Sequence, residues 1–232
     1  MISDVALNGR KGIKMKLTLV RHGEIAGDPF ICPESPVTGC LSPHGIAQAQ
    51  ATAEALKNEK FDIAYSSPFG RALQTAEITL AGRELDIQIM PFIHEWLPKE
   101  EYRRLPDEEW EELMRSQVDS YAEQSWASEI GEGFLDMYVR IVPAFLSEMA
   151  KIGIHPMHGG FVPDEKAKDL SVIIFAHGGS LGVLTSFLLG VRIFPISGFN
   201  YAHTGVARFG FSCKKGVYYP HLILPALHGL EA

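Results

Sequence analysis

Residues 17–24 read LTLVRHGE. The run 17–20 is apolar in the way of a strand that fills a sheet, and it stops abruptly at an arginine, a histidine and a glycine. In α/β proteins ligands gather at strand ends, so a guanidinium and an imidazole placed there can hold and attack an anion. A solvated strand edge accounts for the same pair equally well when it stands alone. What the rest of the chain places beside Arg21 and His22 decides between the two.

Outward from this stretch, apolar strand-like runs alternate with helical segments. Strands are expected at 16–20, 61–65 and 86–93, and helices at 43–58 and 68–81, which is α/β order. Two helix starts share one device, Ser42-Pro43 and Ser67-Pro68, in which serine can cap the first turn and proline fits its first position. Later come a helix at 134–150, a strand at 171–176, a helix at 180–189 and a terminal hairpin or strand pair at 205–211 and 216–224. Between 96 and 130 the pattern turns polar, acidic and aromatic, with LPKEEYRRLPDEEWEELMRSQ at 97–117. This reads as short helices inserted over the sheet as a cap, the acidic run 107–112 being a solvated helix face. The stretch 153–169, with His155 and His158, reads as a loop; two histidines without a third ligand do not make a metal site.

The 232 residues suit a single domain, here 15–232 with the insertion at 96–130. A hydrophobic share of 46% with 21% charged residues is that of an ordinary globular chain. The longest apolar segment, 172–190, is broken by His177 and four glycines, so no membrane span is expected. A net charge of −7 argues against general affinity for nucleic acid or anionic membrane, while a local arginine cluster can still hold a small anion. Three cysteines, Cys32, Cys40 and Cys213, form an odd set without metal-type spacing, which fits a reduced, cytoplasmic protein. No secretory signal is expected; residues 1–14 read as a loose extension and Met15 as an alternative start.

The strand 171–176 ends in His177-Gly178-Gly179, as the first strand ends in Arg21-His22-Gly23. SSPFGRALQTA, residues 66–76, follows the strand 61–65 and puts Arg71 one turn into a helix. Three strand ends thus deliver Arg21, His22, Arg71 and His177. In a parallel arrangement these ends lie along one edge, where helix N-termini also favour anions, and a phosphoryl group fits that environment.

RHGE (21–24), SSPFGRALQTA (66–76) and AHGGSLG (176–182), in this order, resemble the histidine phosphatase superfamily, the phosphoglycerate-mutase-like proteins. The resemblance extends through LSPHGIAQAQA (41–51) and NYAHTGVARF (200–209). It implies a three-layer α/β/α fold with a mostly parallel central sheet and a helical cap, a phosphohistidine intermediate, and neither metal nor other cofactor. It also implies His22 as nucleophile. Arg21 and Arg71 can offer paired donors to phosphate oxygens, and His177 can add a contact if protonated. His22 must keep one nitrogen unprotonated, the other donating to a backbone carbonyl. Glu95, in FIHEW (92–96) at a fourth strand end, is the position that resembles the family's general acid, and the same carboxylate can later activate water. Glu24 is the rival acid, read as a group beside the site or facing the substrate.

The resemblance therefore implies a phosphomonoester hydrolase acting on a small phosphorylated metabolite. The alternative is a bisphosphoglycerate-dependent phosphoglycerate mutase. Mutases of this superfamily usually continue the first motif with a serine and an asparagine, whereas this chain continues RHGEIAGDPF (21–30), which favours hydrolysis. Two minor alternatives are a non-catalytic phosphate-binding scaffold and a serine esterase, because Gly178-Gly179-Ser180-Leu181-Gly182 is a G-x-S-x-G between strand and helix. The esterase needs an acid and then a histidine after Ser180; the one acidic residue there, Glu231, follows the last histidine, His228. Ser180 is therefore expected to cap a helix. Substrate choice falls to the cap, where Arg103 and Arg104 can face a second anionic group or solvent.

Overall fold

The run after Met15 forms β1 (Lys16–Arg21), with Leu17, Thr18, Leu19 and Val20 all buried. It pairs in parallel with β6 (Ser171–Ala176) on one side and antiparallel with β7 (Val206–Lys214) on the other. A strand flanked on both edges and covered on both faces needs a near-continuous apolar run, which both β1 and the fully buried β6 have. Because side chains alternate along a strand, Leu17, Leu19, Val172 and Ile174 enter one core while Val20, Ile173 and Phe175 enter another. The first core is closed by α4 (Phe134–Lys151) and α5 (Gly178–Leu189), and the second by α1 (Pro43–Leu56) and α2 (Gly70–Thr79). The result is the expected three layers. The computed structural model describes residues 15–33, 36–103, 105–117, 128–192 and 199–223. The expected extension at 1–14, Arg104 and residues 118–127 of the expected cap lie outside these.

The sheet has the order β3-β2-β6-β1-β7-β8-β5-β4, where β2 is Ile63–Ser66, β3 Ile87–Ile89, β4 Ile154–Met157, β5 Gly160–Pro163 and β8 Val217–Ile223. β3, β2, β6 and β1 run parallel, and from β7 onward every pairing is antiparallel. The sheet is therefore mixed, and only its half nearer β3 has the expected parallel arrangement. Two tight hairpins build the other half. Their turns, His158-Gly159 and Lys215-Gly216, have φ of 50°, 75°, 53° and 86°, the left-handed pair that two-residue hairpins demand. The stretch 153–169, expected as a loop, is thus largely the β4–β5 hairpin; its strands are too short for alternation to show.

Ser42 caps α1 as expected, its Oγ accepting from Gly45 N at 3.0 Å. Ser67 does not repeat the device. Helix α2 starts at Gly70 with Phe69 as its cap residue, and the Ser67 hydroxyl is engaged by His177 instead. β3 stops at Ile89, short of the expected 93, and Pro91–Ile93 follow as a 3-10 turn. Residues 97–99 and 130–132 pair with each other, Lys99 N donating to Ile130 O at 2.8 Å and Glu132 N to Leu97 O at 3.1 Å. Between them lies α3 (Asp107–Gln117). No helix among the described residues is long and apolar enough to cross a membrane.

Candidate active site

Register assembles the site. Arg21 lies opposite Ala176 and Ser66 opposite Phe175, so β1, β6 and β2 end level. The pairing runs one residue further, His22 N donating to Ala176 O at 3.0 Å and Ser67 N to Phe175 O at 2.8 Å. His22 and His177 therefore stand side by side, with ring centroids 5.1 Å apart, although 155 positions separate them.

The His22 ring is held by its Nδ1, 2.7 Å from the carbonyl of Gly23. A carbonyl only accepts, so Nδ1 carries the proton and Nε2 keeps its lone pair, the tautomer expected of a nucleophile. Burial and the guanidinium of Arg71 hold the imidazole well below its ordinary pKa, and hence neutral. Arg71 Nε reaches both rings, 3.2 Å from His22 Nε2 and 3.1 Å from His177 Nδ1. His177 is fully buried and likewise held well below the ordinary value by burial and Arg71. With Nδ1 accepting from Arg71, its Nε2 donates to Ser67 Oγ at 2.7 Å. His177 thus meets Arg71 as an acceptor; the protonation that would make it a phosphate donor is opposed by burial and the adjacent cation.

Both arginines converge on this edge. Arg71 is 7% exposed, its pKa lowered by burial to about 10, with one Nη donating to Pro29 O and its Cζ 5.0 Å from the Phe69 ring centroid. Arg21 donates to Tyr201 O and to His203 Nε2, the latter at 3.2 Å. Its Nε is buried without a hydrogen-bond partner among the described residues, and a Cβ on Gly178 at the start of α5 would stand 3.6 Å from it. A buried unpartnered N–H on a guanidinium is costly unless an anion accepts from it.

Glu95 lies at the N-terminus of α5, its carboxylate accepting from Gly179 N at 3.0 Å, Ser180 N at 3.2 Å and Trp96 N at 2.8 Å. A Cβ on Gly179 would stand 2.5 Å from Glu95 Oε1, so glycine there is what admits the carboxylate. Arg140, on α4, fixes the segment that carries Glu95. Its Nε and Nη2 each lie 2.7 Å from one carboxylate oxygen of Glu132, its Nη1 donates to the carbonyls of Phe92 and His94, and Glu132 accepts from Leu97 N. Glu24 lies to the side, accepting from Ser42 Oγ at the start of α1.

All of Arg21, His22, Arg71 and His177 come together, with Glu95 within electrostatic reach of both arginines. Ser180 is not presented as a nucleophile. It is fully buried in the first turn of α5, its Oγ accepting from His177 N at 3.3 Å, while His177 is the cap residue. Unanticipated residues are Ser67, Phe69 and His203, whose ring is 5.6 Å from that of His22. Among the described residues no group of three potential metal ligands occurs.

Residues 17–218 match the model of the histidine phosphatase superfamily, branch 1. The chain belongs to that superfamily. Curated relatives of this histidine phosphatase include the adenosylcobalamin/α-ribazole phosphatase of Escherichia coli strain K12, 27% identical over 185 residues and covering 76% of this chain and 80% of that protein. The enzyme of the same name from Salmonella typhimurium strain LT2 is 29% identical over 189 residues, covering 75% and 80%. Among solved structures, the α-ribazole phosphatase from Shigella flexneri superimposes with a TM-score of 0.65 at 20% identity, covering 94% of this chain and 100% of that one. A mycobacterial glucosyl-3-phosphoglycerate phosphatase complexed with VO3 gives 0.65 at 20%, covering 90% and 97%. These likenesses show the fold. Membership and the named phosphatase relatives make this histidine phosphatase an enzyme of the phosphatase class.

Proposed function

We propose that the protein hydrolyses a small phosphomonoester through a phosphohistidine on His22, without a metal ion, as one catalytic domain over 15–232 with residues 96–130 as its cap. The observation that carries this is the unprotonated Nε2 of His22, set by the Nδ1–Gly23 hydrogen bond and accepting from Arg71 Nε. In the first step Nε2 attacks phosphorus, the P–O ester bond breaks, and Glu95, entering protonated, gives its proton to the leaving alkoxide. Arg21 and Arg71 hold the transferring group, the buried Nε–H of Arg21 finding its acceptor there. In the second step water attacks the phosphohistidine, Glu95 takes its proton, and the P–N bond breaks to release inorganic phosphate. Two guanidiniums supply the charge neutralisation that other phosphatases take from a metal. Free Cys32, Cys40 and Cys213 fit action in the cytoplasm on phosphorylated metabolites. The curated relatives are named for α-ribazole and adenosylcobalamin phosphates, which makes such esters sensible first substrates.

The test is to follow phosphate release and 2- to 3-phosphoglycerate exchange in parallel, with bisphosphoglycerate present. Hydrolysis of small monoesters with little exchange is expected, because the 25–30 segment after the first motif lacks the mutase serine and asparagine. Rapid exchange with negligible phosphate release would reverse the choice.

A further inference from the structure

One turn just before β7, residues 201–205, holds Arg21 from three sides. Tyr201 O accepts from one Nη of its guanidinium and His203 Nε2 from the other at 3.2 Å, while Gly205 O accepts from its backbone amide at 3.1 Å. Thr204 N donates to His22 O at 3.1 Å, so the same turn secures the backbone of the nucleophile. Its own geometry is closely fixed. Tyr201 is buried and anchored on α5, its hydroxyl 2.7 Å from Thr185 Oγ1, and Gly205 N closes back on Ala202 O at 2.9 Å. Buried Thr204 has a φ of 54°, a left-handed conformation that a β-branched residue rarely adopts. Such strain persists where the surroundings over-determine it, and it gathers at functional sites.

A guanidinium carries only N–H donors, so the His203 nitrogen that meets it accepts, and the ring is neutral with its proton on Nδ1. Burial and Arg21 keep His203 below its ordinary pKa, with His44 acting in the same sense and Glu24 against them. With both Nη nitrogens engaged by this turn, the plane of the guanidinium is set and its buried Nε–H is left for an acceptor. An imidazole lone pair does this and leaves the charge intact. A carboxylate in its place would orient Arg21 as well, but would cancel the positive charge that a phosphoryl group needs. We infer that His203 is a positioning residue, whose neutral Nε2 aims Arg21 at the transferring phosphoryl group without neutralising it. The inference rests on the phosphomonoesterase reading above and extends it to a residue that does not itself react.

Calorimetric titration of the full chain with inorganic phosphate, alongside kcat/KM for 4-nitrophenyl phosphate, tests this. His203→Leu should weaken both by about tenfold or more, the loss of a hydrogen bond to a charged group. His203→Gln, which keeps a neutral acceptor, should stay within about threefold of wild type. His203→Glu matches glutamine in shape but cancels the charge, and its phosphate affinity should fall as that of His203→Leu does, so the comparison survives a leucine variant that fails to fold. In an Arg21→Ala background His203→Leu should have no further effect on phosphate affinity, whereas a merely structural loss would add in full. Equal losses in the glutamine and leucine variants, additive losses with Arg21→Ala, or wild-type phosphate affinity in His203→Glu would each overturn the role. Phosphate binding that depends on His203, with no monoester turned over, would support it and sink the hydrolase. Turnover and phosphate binding both unmoved in His203→Leu would spare the hydrolase and overturn the role.

Discussion

His22 and His177 share a single guanidinium N–H, and that sharing fixes their protonation. Each nitrogen facing Arg71 must be an acceptor, so both rings are neutral, and burial reinforces this. The consequence for stability follows from linkage. In the unfolded chain these histidines take up protons near pH 6.5, whereas in the fold they resist doing so to well below that value, so acid favours the unfolded state. Stability should therefore be intact above about pH 6.5 and fall below it by up to about 1.4 kcal/mol per pH unit for each histidine. Denaturant titrations between pH 7.5 and 5 check this, and His177→Asn should flatten the slope; a slope unchanged by that substitution contradicts the neutral pair. Glu95 makes a separate prediction. If it donates the proton to the leaving oxygen, Glu95→Gln should slow alkyl phosphates by about a hundredfold or more and aryl phosphates far less, since aryloxides depart unaided. Equal losses would move the acid to Glu24 or elsewhere.

At the scale of elements, the loop after β1 and the start of α1 meet backbone to backbone. A Cβ on Gly45 would stand 2.1 Å from Glu24 O, and one on Gly23 2.7 Å from Gly45 O. The glycines in RHGE and LSPHG are thus two halves of one contact that presses the His22 loop against α1. Gly45→Ala should cost about 1–3 kcal/mol and lower kcat by more than about tenfold through displacement of His22. Chemical denaturation with parallel kinetics measures both, and an alanine variant with wild-type Tm and kcat contradicts the contact. Elements were unevenly legible in the sequence. β1 and β6 showed through unbroken apolar runs, and α1 through its capping serine. The start of α2 did not, because Ser67-Pro68 resembles a cap locally while His177, 110 positions away, claims the hydroxyl. The β4–β5 hairpin was hidden because four-residue strands carry too little alternation, leaving His158-Gly159 as its one signal.

For the whole molecule, the antiparallel half of the sheet explains which site residues sequence reasoning found and which it missed. Parallel strands deliver their carboxyl ends to the site, so the residues following the strands at 16–21, 63–66 and 171–176 could be anticipated. β7 runs the other way, Val206 opposite Val20, and so delivers the residues that precede it: Thr204 N donates to His22 O at 3.1 Å, and His203 reaches Arg21. Nothing in NYAHTGVARF shows strand direction, so His203 had no signal of its own. The cap illustrates the same limit, since its aromatic and acidic composition was plain but its placement against Asp28–Phe30 depends on tertiary packing. What the fold achieves as a whole is a neutral imidazole nitrogen against the buried guanidinium of Arg71, with the buried Nε–H of Arg21 on the same edge, in a chain of net charge −7. The most direct test of that arrangement is to quench a rapid reaction with labelled phosphomonoester and map the phosphorylated peptide. An acid-labile, base-stable phosphoryl group on His22, absent in His22→Ala, is the predicted result; label on Ser180 or on a carboxylate, or unimpaired turnover by His22→Ala, would contradict it.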